Sequence, residues 1–199
     1  MIADDVTAAV EAALSGKLVV IPTDTVYGIG TRPDLPEATA LVFDAKLRPT
    51  ELELPVLVPS PESAAKVVRV DGRARRLMAA FWPGPLTIVL ARAEASVGWA
   101  LGGDPHTIGV RMPDHPLAVA VLDRTGPLAV TSANLSGHDT PATCEEVARI
   151  FGDAVAAYVC DDRLLAGRPS TVVDLTGEEP RILREGGLPA KEILAEVSD

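Results

Sequence analysis

Polar side chains of one kind recur where apolar segments stop. The apolar run at residues 18–21 leads straight into Thr23, Asp24 and Thr25, and Lys46 and Arg48 stand at the end of a helical segment, just before Pro49. Arg111 lies near the end of "TIGVRM", the stretch "TSANLSG" follows "LAV" at residues 131–137, Ser170 and Thr171 begin "STVVDL", and Arg184 closes "RILR". A guanidinium can grip a carboxylate or phosphate through two parallel N–H donors, while a lysine acts as a point charge. Hydroxyls, an amide and backbone N–H groups can complete the shell. One Thr-Asp-Thr run, or one terminal arginine, is explained by local hydrogen bonding. Recurrence at strand ends, where open α/β sheets place ligands, points instead to a site for an anionic ligand.

Other chemistries find less support. No Walker A sequence and no GxGxxG occurs, so a P-loop or Rossmann phosphate site is not expected. The three histidines, His106, His115 and His138, lack HExxH or Cys-paired zinc spacing. His115, between Asp114 and Pro116, reads as a helix-start residue. Ser132 and Ser136 lack the nucleophile-elbow pattern, and a triad is recognised by geometry rather than adjacency. Cys144 and Cys160 read as buried thiols without a role.

Those residues must be carried by a core of modest side chains. The 199-residue chain is 47% hydrophobic and 23% charged but only 4% aromatic, which suits one compact domain built on Ala, Val and Leu. Eighteen basic against 28 acidic residues leave a net charge of −10, which argues against a broad nucleic-acid footprint and makes any basic cluster local. No apolar run approaches a membrane span, and acids occupy the N-terminal stretch where a signal peptide would be basic. A cytoplasmic protein with no membrane partner is expected.

Helices are predicted over residues 4–14, from Pro36 to Lys46, around 62–68 and 72–81, through "HPLAVAVLDRTG", over "CEEVARIFG" with Thr143 and Glu146 as a capping box, and from Pro189. Strands are predicted at "LVVI", "LPVLV", "TIVLA", "TIGVRM", "LAVTSA", "AYVC", "STVVDL" and "RILR". Their uneven alternation indicates a mixed, twisted α/β sheet flanked by helices rather than a strict βαβ array. No repeat or Gly/Ser linker divides the chain.

Seven motifs then coincide in order: "PTDTVYGIG", "KLRP", "WPGPLT", "VRMPDHP", "TSANLSG", "PSTVVD" and "ILREG". Together they resemble the YrdC-like L-threonylcarbamoyladenylate synthases in their short, single-domain form, over about residues 15–190. The resemblance implies a YrdC-like fold with a central concave cleft. It also implies an ATP- and Mg²⁺-dependent nucleotidyltransferase that joins L-threonine, bicarbonate and ATP into threonylcarbamoyl-AMP and releases pyrophosphate. The product serves threonylcarbamoyladenosine modification of tRNA, alongside other proteins of that process, with tRNA an indirect partner. By the same resemblance Thr25, Arg111, Ser170 and the Val130 backbone contact threonine. Lys46, Arg48, Thr107, Ser132, Asn134, Thr140 and Arg184 surround the nucleotide, with Lys46 and Arg48 also catalytic. No catalytic His or Cys is needed, because a threonine carbamate can attack the α-phosphorus directly once aligned and charge-neutralised.

The chain departs from the family pattern at "PTELELPVLVPS", where extra spacing follows "KLRP" and Pro59 stands where many members have a histidine at the threonine site. Two other classes of function compete. One is a YrdC-like paralogue that binds nucleotide or RNA without the synthase activity. The other is a carbamoyl-transfer module of larger carbamoyltransferases, for whose accompanying domains this chain has no room.

Overall fold

The structure, a computed structural model, describes residues 2–163 and 165–197. Helix α1 (Ile2–Leu14) ends ahead of Gly16, whose φ of 75° suits a residue without Cβ. Strand β1 (Val19–Pro22) then turns back into β2 (Tyr27–Thr31), pairing antiparallel with Val20 opposite Ile29. Thr23 locks this turn. Its hydroxyl donates to the Val26 carbonyl at 2.6 Å and accepts the N–H groups of Thr25 and Val26 at 3.2 Å each.

Helix α2 (Pro36–Lys46) starts on a proline, whose missing N–H costs nothing in a first turn. It is closed by Leu47 in the left-handed region at φ 49°, which carries Arg48 off the helix. Next come β3 (Val56–Leu57), α3 (Pro61–Val67), α4 (Gly72–Phe81), β4 (Leu86–Ala91) and β5 (Thr107–Arg111). They are followed by α5 (Pro116–Thr125), β6 (Leu128–Ser132), α6 (Cys144–Phe151), β7 (Ala157–Tyr158), β8 (Thr171–Asp174), β9 (Arg181–Arg184) and α7 (Ala190–Val197). The predicted capping box at Thr143 and Glu146 is present in both directions. "LPVLV" and "AYVC" yield two-residue strands, shorter than predicted: the paired register covers Val56–Leu57 and Ala157–Tyr158, with flanking bonds from the Val58 N–H to Arg111 and from the Val159 N–H to Val20.

The described strands form one mixed sheet in the order β7-β1-β2-β6-β3-β5-β4-β8-β9, parallel at β1/β7, β3/β5 and β4/β8 and antiparallel elsewhere. Alternation along β1 shows how the faces are used. Val19 and Ile21 pack with Val6, Ala9 and Val10 of α1 and with Val121 and Leu122 of α5. Leu18 and Val20 face the larger core with Tyr27, Ile29, Val42 and Leu54. Each fully buried Ile or Leu here contributes roughly 1.5–3 kcal/mol. Among the described residues no helix is long and apolar enough to cross a membrane.

The two cysteines correct the sequence reading. They are not free thiols: Cys144, opening α6, is disulfide-bonded to Cys160, just beyond β7, with Cα atoms 5.5 Å apart. Two cysteines 16 residues apart in sequence say nothing about that separation, and separation in space is what permits the bond.

Candidate functional site

One pocket of about 440 Å³ gathers residues from seven of the strands and from adjoining loops. Beside it, the glycines of β2 bring backbone close to backbone, and Gly28 lines the pocket. A Cβ on Gly28 would lie 2.5 Å from Val130 Cγ1, and one on Gly30 would lie 2.2 Å from the Ala129 carbonyl oxygen. The glycines of "YGIG" are therefore required by contact with β6, where Gly28 stands opposite Ser132 and Gly30 opposite Val130. Gly109 on β5 also lines the pocket, and a Cβ there would lie 3.2 Å from Thr87 Cγ2.

Arg111 anchors one end. Its Nη2 pairs with Asp24 Oδ1 at 2.6 Å, Nη1 donates to Thr25 Oγ1 at 2.9 Å, and Nε donates to the Gly84 carbonyl at 3.0 Å. Asp24 is oriented in turn by the Asp114 N–H at 2.9 Å. Burial lowers the Arg111 pKa, an effect opposed by Asp24, and a guanidinium still stays charged at any working pH. These three bonds use three of its five N–H directions, and the remaining two can meet an incoming carboxylate.

The hydrogen bonds at Thr25 can be counted. Thr23 commits its hydroxyl proton to Val26 and already accepts two backbone N–H groups, and its Oγ1 lies 2.9 Å from Thr25 Oγ1. With Arg111 donating to one lone pair, Thr25 keeps a lone pair that can receive a ligand O–H or N–H.

A second cationic pair completes the site. Arg48 Nη2 donates to the Glu53 carbonyl at 2.9 Å and its Nε to Leu52 at 3.1 Å, while Arg184 Nε and Nη2 hold the Ser170 carbonyl at 3.1 and 2.9 Å. Ser170 Oγ lies 2.8 Å from Thr87 Oγ1, so two hydroxyls and a guanidinium face the pocket together. Burial lowers the Arg48 pKa, and the like charge of Arg184 lowers it further. Cations brought this close in a chain of net charge −10 focus the field for an anion.

Thr25, Arg48, Arg111, Val130, Ser132, Thr140, Ser170 and Arg184, all anticipated from sequence, line this one pocket. Lys46, Thr107 and Asn134 are not in its lining. Lys46 is 1% exposed, and its ammonium donates to the carbonyls of Ser132 (2.6 Å) and Asn134. It braces the turn after β6 from beneath, and burial, aided by Arg48, lowers its pKa to about 8. Asn134 spends its amide on the Leu135 and His138 carbonyls and accepts from Ser132 Oγ at 2.5 Å. Thr107 begins β5, where its carbonyl accepts from Arg92. Sequence reasoning passed over Thr87, which lies in "WPGPLT", and Glu53, which looks in sequence like an ordinary loop acid. Pro59 is not in the lining either. His115 precedes α5 as expected but also lies 3.1 Å from Asp161, whose backbone N–H and carbonyl are both bonded to the Tyr27 hydroxyl.

Comparison with known proteins places this arrangement among relatives. The family model Sua5_yciO_yrdC, described as "Telomere recombination", matches residues 11–186. A Mycobacterium tuberculosis protein is 43% identical over 190 residues, spanning 94% of this chain and 87% of its own. The threonylcarbamoyl-AMP synthase of Vibrio parahaemolyticus is 32% identical over 187 residues, 92% of this chain and all of its own. Among solved structures, Pyrococcus abyssi Sua5 complexed with L-threonine superposes with a TM-score of 0.88 at 34% identity, covering 97% of this chain. The match spans 57% of that longer chain.

Proposed function

The chain belongs to the Sua5/YciO/YrdC family, and on that footing we propose that it is an L-threonylcarbamoyladenylate synthase whose product serves threonylcarbamoyladenosine modification of tRNA. The observation that carries this reading is the convergence of Arg48, Arg111 and Arg184 with threonine and serine hydroxyls on one pocket. Two anionic substrates, an amino acid carboxylate and a triphosphate, call for that set.

Arg111, fixed by Asp24, receives the threonine carboxylate with its two unused N–H directions. Thr25 Oγ1 accepts a hydrogen bond from the substrate hydroxyl with the lone pair that Arg111 leaves open. Arg48 and Arg184, with the Ser170, Ser132 and Thr140 hydroxyls, receive the phosphates. Threonine nitrogen bonds to the bicarbonate carbon as one C–O bond breaks, and that oxygen leaves with the amine proton as water, giving a carbamate. A carbamate oxygen then bonds to the α-phosphorus as the bond to pyrophosphate breaks, and the guanidiniums offset the charge that gathers on the phosphoryl oxygens. Lys46 acts from below by holding the Ser132 carbonyl, and with it the β6 end, in place. Mg²⁺ enters on the triphosphate as part of that substrate: among the described residues no group of three His, Cys, Asp or Glu could hold a metal, and Mg²⁺ commonly sits on phosphates and water.

Purified protein given ATP, bicarbonate and threonine should release pyrophosphate and form threonylcarbamoyl-AMP, detected by mass. Omitting any one of the three should abolish the product. Nucleotide binding without that product would favour the paralogue reading.

A further inference from the structure

Polar groups lining the pocket are mostly guanidiniums and hydroxyls, and Glu53 is the one carboxyl in the lining. Its Oε1 is buried and has no hydrogen-bond partner. A buried oxygen left unpaired loses its solvation without recompense, and such a group asks for an explanation. A loose loop would let the carboxylate turn out to water, but this loop is pinned. Arg48 holds the Leu52 and Glu53 carbonyls, the Leu54 N–H donates to Leu101 at 2.8 Å, and the Gly103 N–H donates to Thr50 at 2.9 Å. Gly103, at φ 59°, presses so close that a Cβ on it would lie 2.8 Å from Glu53 Cβ.

Nearby charges do not supply the missing partner. Arg92 spends Nε and Nη1 on the Thr107, Ser96 and Trp99 carbonyls, and Asp104 Oδ1 accepts the His106 N–H. Burial outweighs the attraction of Arg92, and the Asp104 charge adds to it, so the Glu53 pKa is pushed up to about 7. The chain direction gives the location. The Pro55 carbonyl accepts the Val130 N–H at 2.9 Å and β3 runs antiparallel to β6, so residues preceding Pro55 extend toward the Ser132 side, away from the level of Arg111.

We propose that Glu53 reads the nucleoside: its carboxyl accepts a hydrogen bond from an O–H or N–H donor on the ribose or base of the nucleotide bound beside Arg48 and Ser132. This rests on the reading above that the nucleotide is ATP. Phosphates offer only acceptors and belong to the arginines. The amino acid is held at the Arg111 end, and the nucleoside is the remaining substrate part with donors to give.

The test is calorimetric binding of ATP, 2′-deoxy-ATP, 3′-deoxy-ATP and the purine riboside triphosphate lacking the 6-amino group, to the parent, Glu53→Met and Glu53→Gln. The parent should bind one analogue about tenfold more weakly than ATP, as expected for one lost hydrogen bond. Glu53→Met should bind ATP about tenfold more weakly and that analogue no worse than the parent does, so the preference disappears. Glu53→Gln keeps one acceptor oxygen and should lie between. Since Glu53→Met removes an unpaired buried oxygen, it should melt no lower than the parent. Should it fail to fold, the Gln variant carries the comparison. Equal binding of all four nucleotides by the parent, an undiminished preference in the variant, or a loss confined to threonine would overturn the proposal. A parent that binds no ATP would instead sink the functional reading beneath it.

Discussion

Arg111 has two duties, one toward the fold and one toward the substrate, and a double mutant can separate them. Arg111→Met keeps much of the volume but leaves the Asp24 carboxylate, 16% exposed, with the Asp114 N–H as its remaining partner among those described. Thr25 loses a donor and the Gly84 carbonyl is orphaned. Removing one member of a buried pair costs about 3–5 kcal/mol, chiefly because an uncompensated charge stays behind. Asp24→Asn, which strands the guanidinium, should cost a comparable amount. Replacing both with neutral groups should bring stability back to within about 1–2 kcal/mol of the parent, since a buried pair is worth little against uncharged groups of similar shape. Urea denaturation of all four proteins, at equal m-value, gives a coupling energy that should be at least about 2 kcal/mol. Calorimetry should then show threonine binding lost in Arg111→Met and still lost in the restabilised double variant. Additive costs would refute the coupling, and a double variant that binds threonine like the parent would remove Arg111 from substrate recognition.

Lys46 has its folded pKa lowered to about 8, so the unfolded chain binds the extra proton between that value and its ordinary 10.5. Its contribution to stability is therefore present above 10.5 and lost as pH falls through 8; the unfolding free energy of the parent from urea denaturation should rise relative to Lys46→Met as pH rises over that window, by up to about 3 kcal/mol, and a flat difference would be wrong for a buried ammonium. The Cys144–Cys160 bond closes a loop across a separation of 16 residues, so Cys144→Ser or full reduction should cost about 3 kcal/mol and roughly 6–12 °C in Tm; calorimetric scans with and without dithiol, with thiols counted by alkylation, check this. Gly28→Ala should cost about 1–3 kcal/mol because its Cβ meets Val130 Cγ1 at 2.5 Å, and Val130→Ala in the same chain should recover part of that loss in a denaturation series.

Much of this molecule is written locally. Pro36, Ser60, Thr143 and the apolar periods set where helices begin, and the β-branched runs mark where strands lie, because caps, φ restrictions and side-chain alternation act within a few residues. The ordered motifs also named Arg48, Arg111 and Arg184 as one site, since residue type and strand-end position already carry their chemistry. Only the tertiary structure decided what each of them touches. Lys46 and Arg48 are two residues apart, yet the left-handed turn at Leu47 leaves one beneath the β6 end and sends the other into the pocket. Gly28 looks like a turn glycine until Val130 is found against it, and Cys144 like a free thiol until the chain brings Cys160 back beside it. Glu53 reads as a solvated loop acid until Gly103 and Arg48 pin it over the pocket. The deciding quantity is a distance in space between residues that are not neighbours in the chain, set by sheet order and close packing, and local pattern holds no record of it.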